Sequence, residues 1–274
     1  MPKLIEDARH RASAPSHDGE GASPRPAEPS RARCRVRAKT LLTILAALVL
    51  APLTVVVGMG IPGNGYYLSG TLIVLYAIVP FFVAFEGRRP TAREIAVVAV
   101  LTALAVAARA AFVWVPHFKP MAAIIMIAGI AAGPQTGFLV GSVAALASNF
   151  IFGQGPWTPW QMLAFGVAGL VAGLLADARV FPRANLSWPR RVALAVTGFV
   201  LIVGLAGPIL DTSTFFYLST APTPELAATV YLAGLPVNAI HGVATALTLL
   251  VVANPLLDQL ARVRVKYGLL NQLR

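Results

Sequence analysis

The chain has 274 residues, 57% of them apolar and only 12% charged, with a mean hydropathy of +0.73. That is more apolar surface than one soluble core can hide, which excludes an ordinary soluble domain and indicates an integral membrane protein. The formal net charge of +11 does not indicate nucleic-acid binding, because Lys and Arg cluster in segments flanking apolar runs, as membrane topology requires.

Residues 1–39 are rich in Pro, Ser, Ala, Arg and Glu and show no apolar period, so a disordered cytoplasmic tail is expected there. The lone Cys34, between Arg33 and Arg35, allows no intramolecular disulfide and makes a poor lipid-attachment site. Arg31, Arg33, Arg35, Arg37 and Lys39 abut the first apolar run, which continues to Gly58 without a good small-x-small exit. An uncleaved first span is therefore expected rather than a signal peptide.

Windowed hydropathy gives eight apolar segments, at roughly 40–58, 67–85, 94–114, 120–132, 135–152, 161–177, 191–210 and 229–253. The first two form a pair of additional transmembrane helices within residues 40–90. In the third, Ala99, Ala103, Ala107 and Ala111 recur every four residues and form a nearly smooth stripe that another helix can approach closely. Alanine abundance alone also gives such a stripe.

Arg109 lies about 15 residues into that span, roughly 22 Å along at about 1.5 Å per residue. A charge at that depth must snorkel, pair or face a wet cavity. His117 and Lys119 in the following loop are near enough to share a site with it.

The fourth segment is too short to cross a bilayer unaided, so it must be tilted, broken or shielded by neighbours. From Pro120 to Ala176 the chain runs for 57 residues without one Asp, Glu, Lys, Arg or His. In the middle lies Gly153-Gln-Gly-Pro-Trp-Thr-Pro-Trp-Gln161. Irregular backbone of this kind belongs at or beyond the membrane surface, where it finds hydrogen-bond partners.

Gly153 and Gly155 allow sharp bends, and Pro156 and Pro159 stiffen them. Trp157 and Trp160 fit an interfacial aromatic belt, but together with Gln154 and Gln161 they also suit a planar or amide-bearing ligand. A long loop over 211–228, carrying Asp211, Phe215, Phe216, Tyr217 and Glu225, is a candidate lid. Asn149, Asn238 and His241 are polar groups in the outer halves of apolar spans, each explained equally by a hydrogen bond within the bundle.

Orientation follows from the positive-inside rule. The tail, the 86–93 loop, the 178–191 loop with Arg179, Arg183, Arg190 and Arg191, and the C-terminal residues Arg262, Arg264, Lys266 and Arg274 form one set. Of Lys and Arg, the opposite connectors contain only Lys119. Eight spans with both termini cytoplasmic and the Trp-rich loop outside are expected.

No His/Cys/Asp cluster stands at metal spacing, and there is neither a Gly-rich phosphate loop nor a Ser/His/Asp set in one polar pocket. Catalytic residues, metals and cofactors are therefore not expected in this chain. Two alternatives to a binding subunit stay open: a membrane-embedded enzyme of lipid or isoprenoid metabolism and a stand-alone secondary transporter. The first needs carboxylates or a His/Glu pair at the cytoplasmic face; the second needs inverted repeats and a midplane ion site.

Residues from about 93 to 253 resemble the six-helix substrate-binding S component of energy-coupling factor (ECF) vitamin transporters. The resemblance is carried by Ala99 and Ala103 with Arg109 and Phe118-Lys-Pro120, by Ala128-Gly-Ile-Ala-Ala-Gly-Pro134 with Gly137-Phe-Leu-Val-Gly141, and most specifically by Asn149-Phe-Ile-Phe-Gly-Gln-Gly-Pro-Trp-Thr-Pro-Trp-Gln-Met162.

The resemblance implies an all-α polytopic membrane bundle with a six-helix domain at 91–256, preceded by the two extra helices and followed by a basic cytoplasmic tail at 257–274. It implies a multi-pass protein of a bacterial plasma membrane that captures a micronutrient outside. Its partners would be a scaffold membrane subunit and two cytosolic ATPases, with no nucleic acid and with ATP hydrolysis outside this chain. Ala99, Ala103 and Ala107 would dock the scaffold. Arg109, His117, Lys119, Asn149, Gln154, Trp157, Trp160 and Gln161 would hold the ligand. The loop is similar to that of a subgroup associated with cobalamin or related corrinoids, while riboflavin-like heterocycles suit the same side chains.

Overall fold

The computed structural model describes residues 92–218 and 223–267, with a few residues between 50 and 75. The expected tail, most of the two additional spans and the end of the C-terminal tail lie outside the described residues. Every element from residue 92 onward is helical: α1 (Ala92–Ala111), α2 (Met121–Ala132), α3 (Pro134–Phe152), α4 (Thr158–Asp177), α5 (Trp188–Leu201), α6 (Gly207–Leu218) and α7 (Pro224–Tyr267). A π-helical turn at Ile202–Ala206 joins α5 to α6, so residues 188–218 make one span. Pro208, which has no N–H to donate into the preceding turn, stands just beyond this widened turn.

Four of these spans, 134–152, 158–177, 188–218 and 224–266, are long and apolar enough to cross a membrane. The chain is a multi-pass helical membrane protein. The short α2 is shielded rather than tilted into lipid: all twelve of its residues are buried. Gly133, at φ 102°, turns the chain from α2 straight into α3, where Pro134 opens the new helix.

The uncharged stretch packs backbone against backbone. A Cβ on Gly129 or Gly137 would land on the Gly169 carbonyl, one on Gly141 on the Phe165 carbonyl, and one on Gly173 on the backbone of Pro134. Without a hydrophobic drive between helices in lipid, such close approach is what holds α2, α3 and α4 together. The glycines at 129, 137 and 141 thus have a packing reason. α1 lies against α2 and α3, while α5 and α7 pack on each other and α7 also on α2.

Two expectations change. The helices at the C-terminal end are longer than hydropathy suggested, and 211–228 is no extended lid: α6 runs to Leu218 and α7 starts at Pro224. Polar residues continue the helix because their groups are satisfied inside the bundle. Asn238 donates to Asp211 at 2.8 Å, and the Thr212 and Tyr231 hydroxyls bond at 2.7 Å. Likewise Thr158 and Pro159 open α4, so the loop after α3 shrinks to 153–157.

Candidate functional site

A cavity of about 180 Å³ opens near the end of the bundle where α1, α3 and α6 finish and α2, α4 and α7 begin. It is lined by Arg109 of α1, His117 and Lys119 of the next loop, Gln161 of α4, Asp211 of α6, and Asn238 and His241 of α7. Apolar walls, among them Met121, Phe165 and Val237, complete it.

Arg109 is anchored by α3. Its Nη1 donates to Ser148 Oγ at 2.5 Å and to Asn149 Oδ1 at 2.9 Å, and the guanidinium lies over the Phe152 ring, 4.7 Å from the centroid. Only Nη1 is engaged by described residues, and no carboxylate stands within ion-pair distance of it among them. Neutral acceptors and an aromatic face hold this charge at a cavity wall, in the last turn of α1.

Asn149 is the hub behind that wall. Besides accepting from Arg109, its Nδ2 donates to Thr158 Oγ1 at 2.9 Å and to Gln161 Oε1 at 2.8 Å. Thr158 donates in turn to Gln154 Oε1 at 2.8 Å, and Gln154 donates to the Leu146 carbonyl at 3.2 Å. A buried amide with every bond made orients its neighbours firmly. The loop is thereby tied to Arg109 through two side chains.

Across the cavity, α6 and α7 carry Asp211 and Asn238. Glycines make room for them: a Cβ on Gly234 would strike the Asp211 carboxylate, and one on Gly207 the Asn238 amide. His241 is buried, its ring set edge-on to Phe165 at 5.6 Å, and its Nε2 has no hydrogen-bond partner. Because His241 also lines the chamber, that nitrogen can meet a ligand there. Lys119 sits in the loop; burial, and then the Arg109 charge, lower the pKa of its ammonium below the ordinary value.

The residues singled out in the sequence thus divide. Arg109, His117, Lys119 and Gln161 line the cavity, and Asn149 stands behind it. Gln154, Trp157 and Trp160 do not line it. Trp157 is 40% exposed with its ring against Gly155, whereas Trp160 is 1% exposed and stacks on Phe216 in the core, ring centroids 6.0 Å apart. Ala99, Ala103 and Ala107 are all exposed along α1. Asp211, Asn238 and His241 line the cavity too; their signal in the sequence was polarity at spacing 3 within an apolar helix for the last two, and a lone carboxylate beside an apolar span for the first.

Fold and cavity together define a polytopic helical membrane protein with a small polar chamber near one end. A family model described as the ECF-type riboflavin transporter S component matches residues 90–262. The chain belongs to that family. It is also 30% identical over 104 residues to a UPF0397 protein of Vibrio atlanticus (strain LGP32), a match covering 37% of this chain and 53% of the relative, so the chain spans about half the length of that curated relative. No solved structure matches it significantly.

Proposed function

We propose that this chain is the substrate-capture subunit of an ECF-type, ATP-driven importer. It binds a vitamin or related micronutrient from outside and delivers it together with a scaffold membrane subunit and two cytosolic ATPases. The observation that carries this reading is the chamber: Arg109, His117, Lys119, Gln161, Asp211, Asn238 and His241, drawn from α1, α4, α6, α7 and a loop, converge within an otherwise apolar bundle of a transporter family. Polar side chains gathered this way inside a membrane protein belong to a substrate path.

Sidedness supports the same reading. Arg179, Arg183, Arg190 and Arg191 stand at the end opposite the chamber. By the positive-inside rule this supports a cytoplasmic position for that end, a chamber open to the outside and, with the basic flanks in the sequence, cytoplasmic termini. Residues 91–256 then form the capture domain, with the two additional helices before it. The exposed Ala99, Ala103 and Ala107 form its docking face for the scaffold.

For the ligand, the riboflavin in the family description supports a heterocyclic vitamin. Support for cobalamin or another corrinoid is thinner, because Gln154 and the Trp157 and Trp160 faces lie off the chamber and only Gln161, with Asn149 behind it, remains.

The test is co-expression with scaffold and ATPase subunits. Ala99→Leu and Ala103→Leu should abolish uptake and co-purification of the scaffold, yet leave ligand affinity intact. Assembly retained in both variants removes the docking face, and absence of vitamin uptake by the wild-type assembly overturns the capture role itself.

A further inference from the structure

We propose that the ligand of this chamber is a compact organic anion, its carboxylate or phosphate held between Arg109 and Lys119, with an N–H or O–H of the same molecule donating to Asp211. The inference rests on the capture reading and names the substrate class of that site.

Charge is the first ground. The chamber wall carries the two cations Arg109 and Lys119 and one carboxylate, Asp211, and among the described residues none of them is in an ion pair. All three are half-buried beside apolar walls, where a charge gains from a counter-charge, so an anion placed between the two cations is stabilised. Arg109 is held from behind through Nη1 alone, which leaves Nη2 and Nε as a fork suited to two anionic oxygens. The lowered Lys119 ammonium is restored by the same anion.

The second ground is the opposite wall. One Asp211 oxygen, Oδ2, accepts from Asn238, and Gly234 lets the carboxylate lie close to α7. The other oxygen has no bond among the described residues and can accept from a ligand donor. Arg109 and Asp211 line one chamber yet do not pair with each other, so a ligand bridging them carries acceptor oxygens at one end and a donor at the other.

Size is the third. Chambers for drug-sized ligands run to roughly 300–1,000 Å³. At about 180 Å³ this one encloses a compact molecule, or the charged end of a longer one that extends through its open side.

The experiment is direct binding to the full chain in lipid nanodiscs, using vitamin pairs that differ in charge: nicotinate and nicotinamide, biotin and biotinamide, lipoate and lipoamide, pyridoxal 5′-phosphate and pyridoxal, flavin mononucleotide and riboflavin. In at least one pair the anion should bind about tenfold or more tightly than its neutral partner. Arg109→Gln and Lys119→Met should each weaken that anion by about tenfold or more while barely moving the neutral compound. Lys119 lies in a loop, so its variant guards against a folding defect at Arg109.

Neutral compounds that bind as tightly as their anions in every pair that binds overturn the proposal and leave vitamin capture standing. Anion binding unchanged in both variants, or no binding by any probe, overturns it as well. Failure of the capture reading is seen separately, as absence of uptake by the assembled complex.

Discussion

The 153–157 loop and the chamber near it carry the same kinds of side chain, amides and aromatics beside polar groups, but differ in whether those groups already have partners. In the loop, Gln154 is bonded to Thr158 and to the Leu146 carbonyl, and Trp157 covers Gly155. In the chamber, the Arg109 fork, one Asp211 oxygen and His241 Nε2 are without partners among the described residues. Residue type alone does not mark a binding site. What sets the chamber apart is several groups with spare polar capacity converging on one cavity; single buried atoms without a partner among the described residues, such as Trp160 Nε1 and Thr102 Oγ1, stand elsewhere in the bundle.

The comparison breaks most completely where both regions lose their support. Gly169→Val would push a side chain into the Gly137 carbonyl and Ile125, forcing α2, α3 and α4 apart at a cost of about 3 kcal/mol or more. Thermal unfolding in detergent should show it as the largest loss of any single change proposed for this chain.

Asn149→Leu comes next, because Asn149 joins the two regions. It leaves Arg109 and Gln161 each short of a partner and should cost about 1–3 kcal/mol of stability, with ligand binding weakened as Arg109 loses its anchor. A variant that melts like the wild type yet binds normally would show that loop and chamber are independent.

Lys119→Met isolates the chamber. A base whose pKa is lowered by folding binds fewer protons folded than unfolded between that lowered value and its ordinary 10.5. Stability therefore rises with pH through this window, and the cost of the charge is fully present below it. Other charged or titratable groups at the chamber are Arg109, His117, Asp211 and His241. Removing the ammonium should stabilise the ligand-free protein at neutral pH by about 0.5–2 kcal/mol and flatten the alkaline rise. Melting curves from pH 7 to 10 test both effects, and an unchanged slope refutes the assignment to Lys119.

Trp157→Ala isolates the loop and should do least. With 40% of the residue exposed and its ring off the chamber, ligand affinity should stay within about twofold and stability within about 0.5 kcal/mol. A tenfold loss of affinity would return the loop to the binding site.

Much of this was legible in the chain. Arg109 declares itself because a guanidinium deep in an apolar span needs a reason, and His117 and Lys119 follow it closely. The shielding of α2 was readable from its shortness, since 12 residues do not cross a bilayer. Asp211 was misread as part of a lid. Hydropathy ends a helix where polar residues begin, while Asn238 and Tyr231, from a distant part of the chain, satisfy Asp211 and Thr212 within the bundle. The aromatic pair was misjudged for a similar reason: which of Trp157 and Trp160 is buried depends on Phe216, 56 positions beyond Trp160.

By itself, then, the sequence determined that the chain lives in a membrane as a helical bundle, and that one arginine within an apolar span must be explained. Those properties depend on local composition and spacing, which act along the chain. Only the tertiary structure decided which polar groups share a chamber and which are already satisfied. Hydrogen bonds are made between helices brought together in space, and a group's remaining capacity exists only once all its neighbours are known.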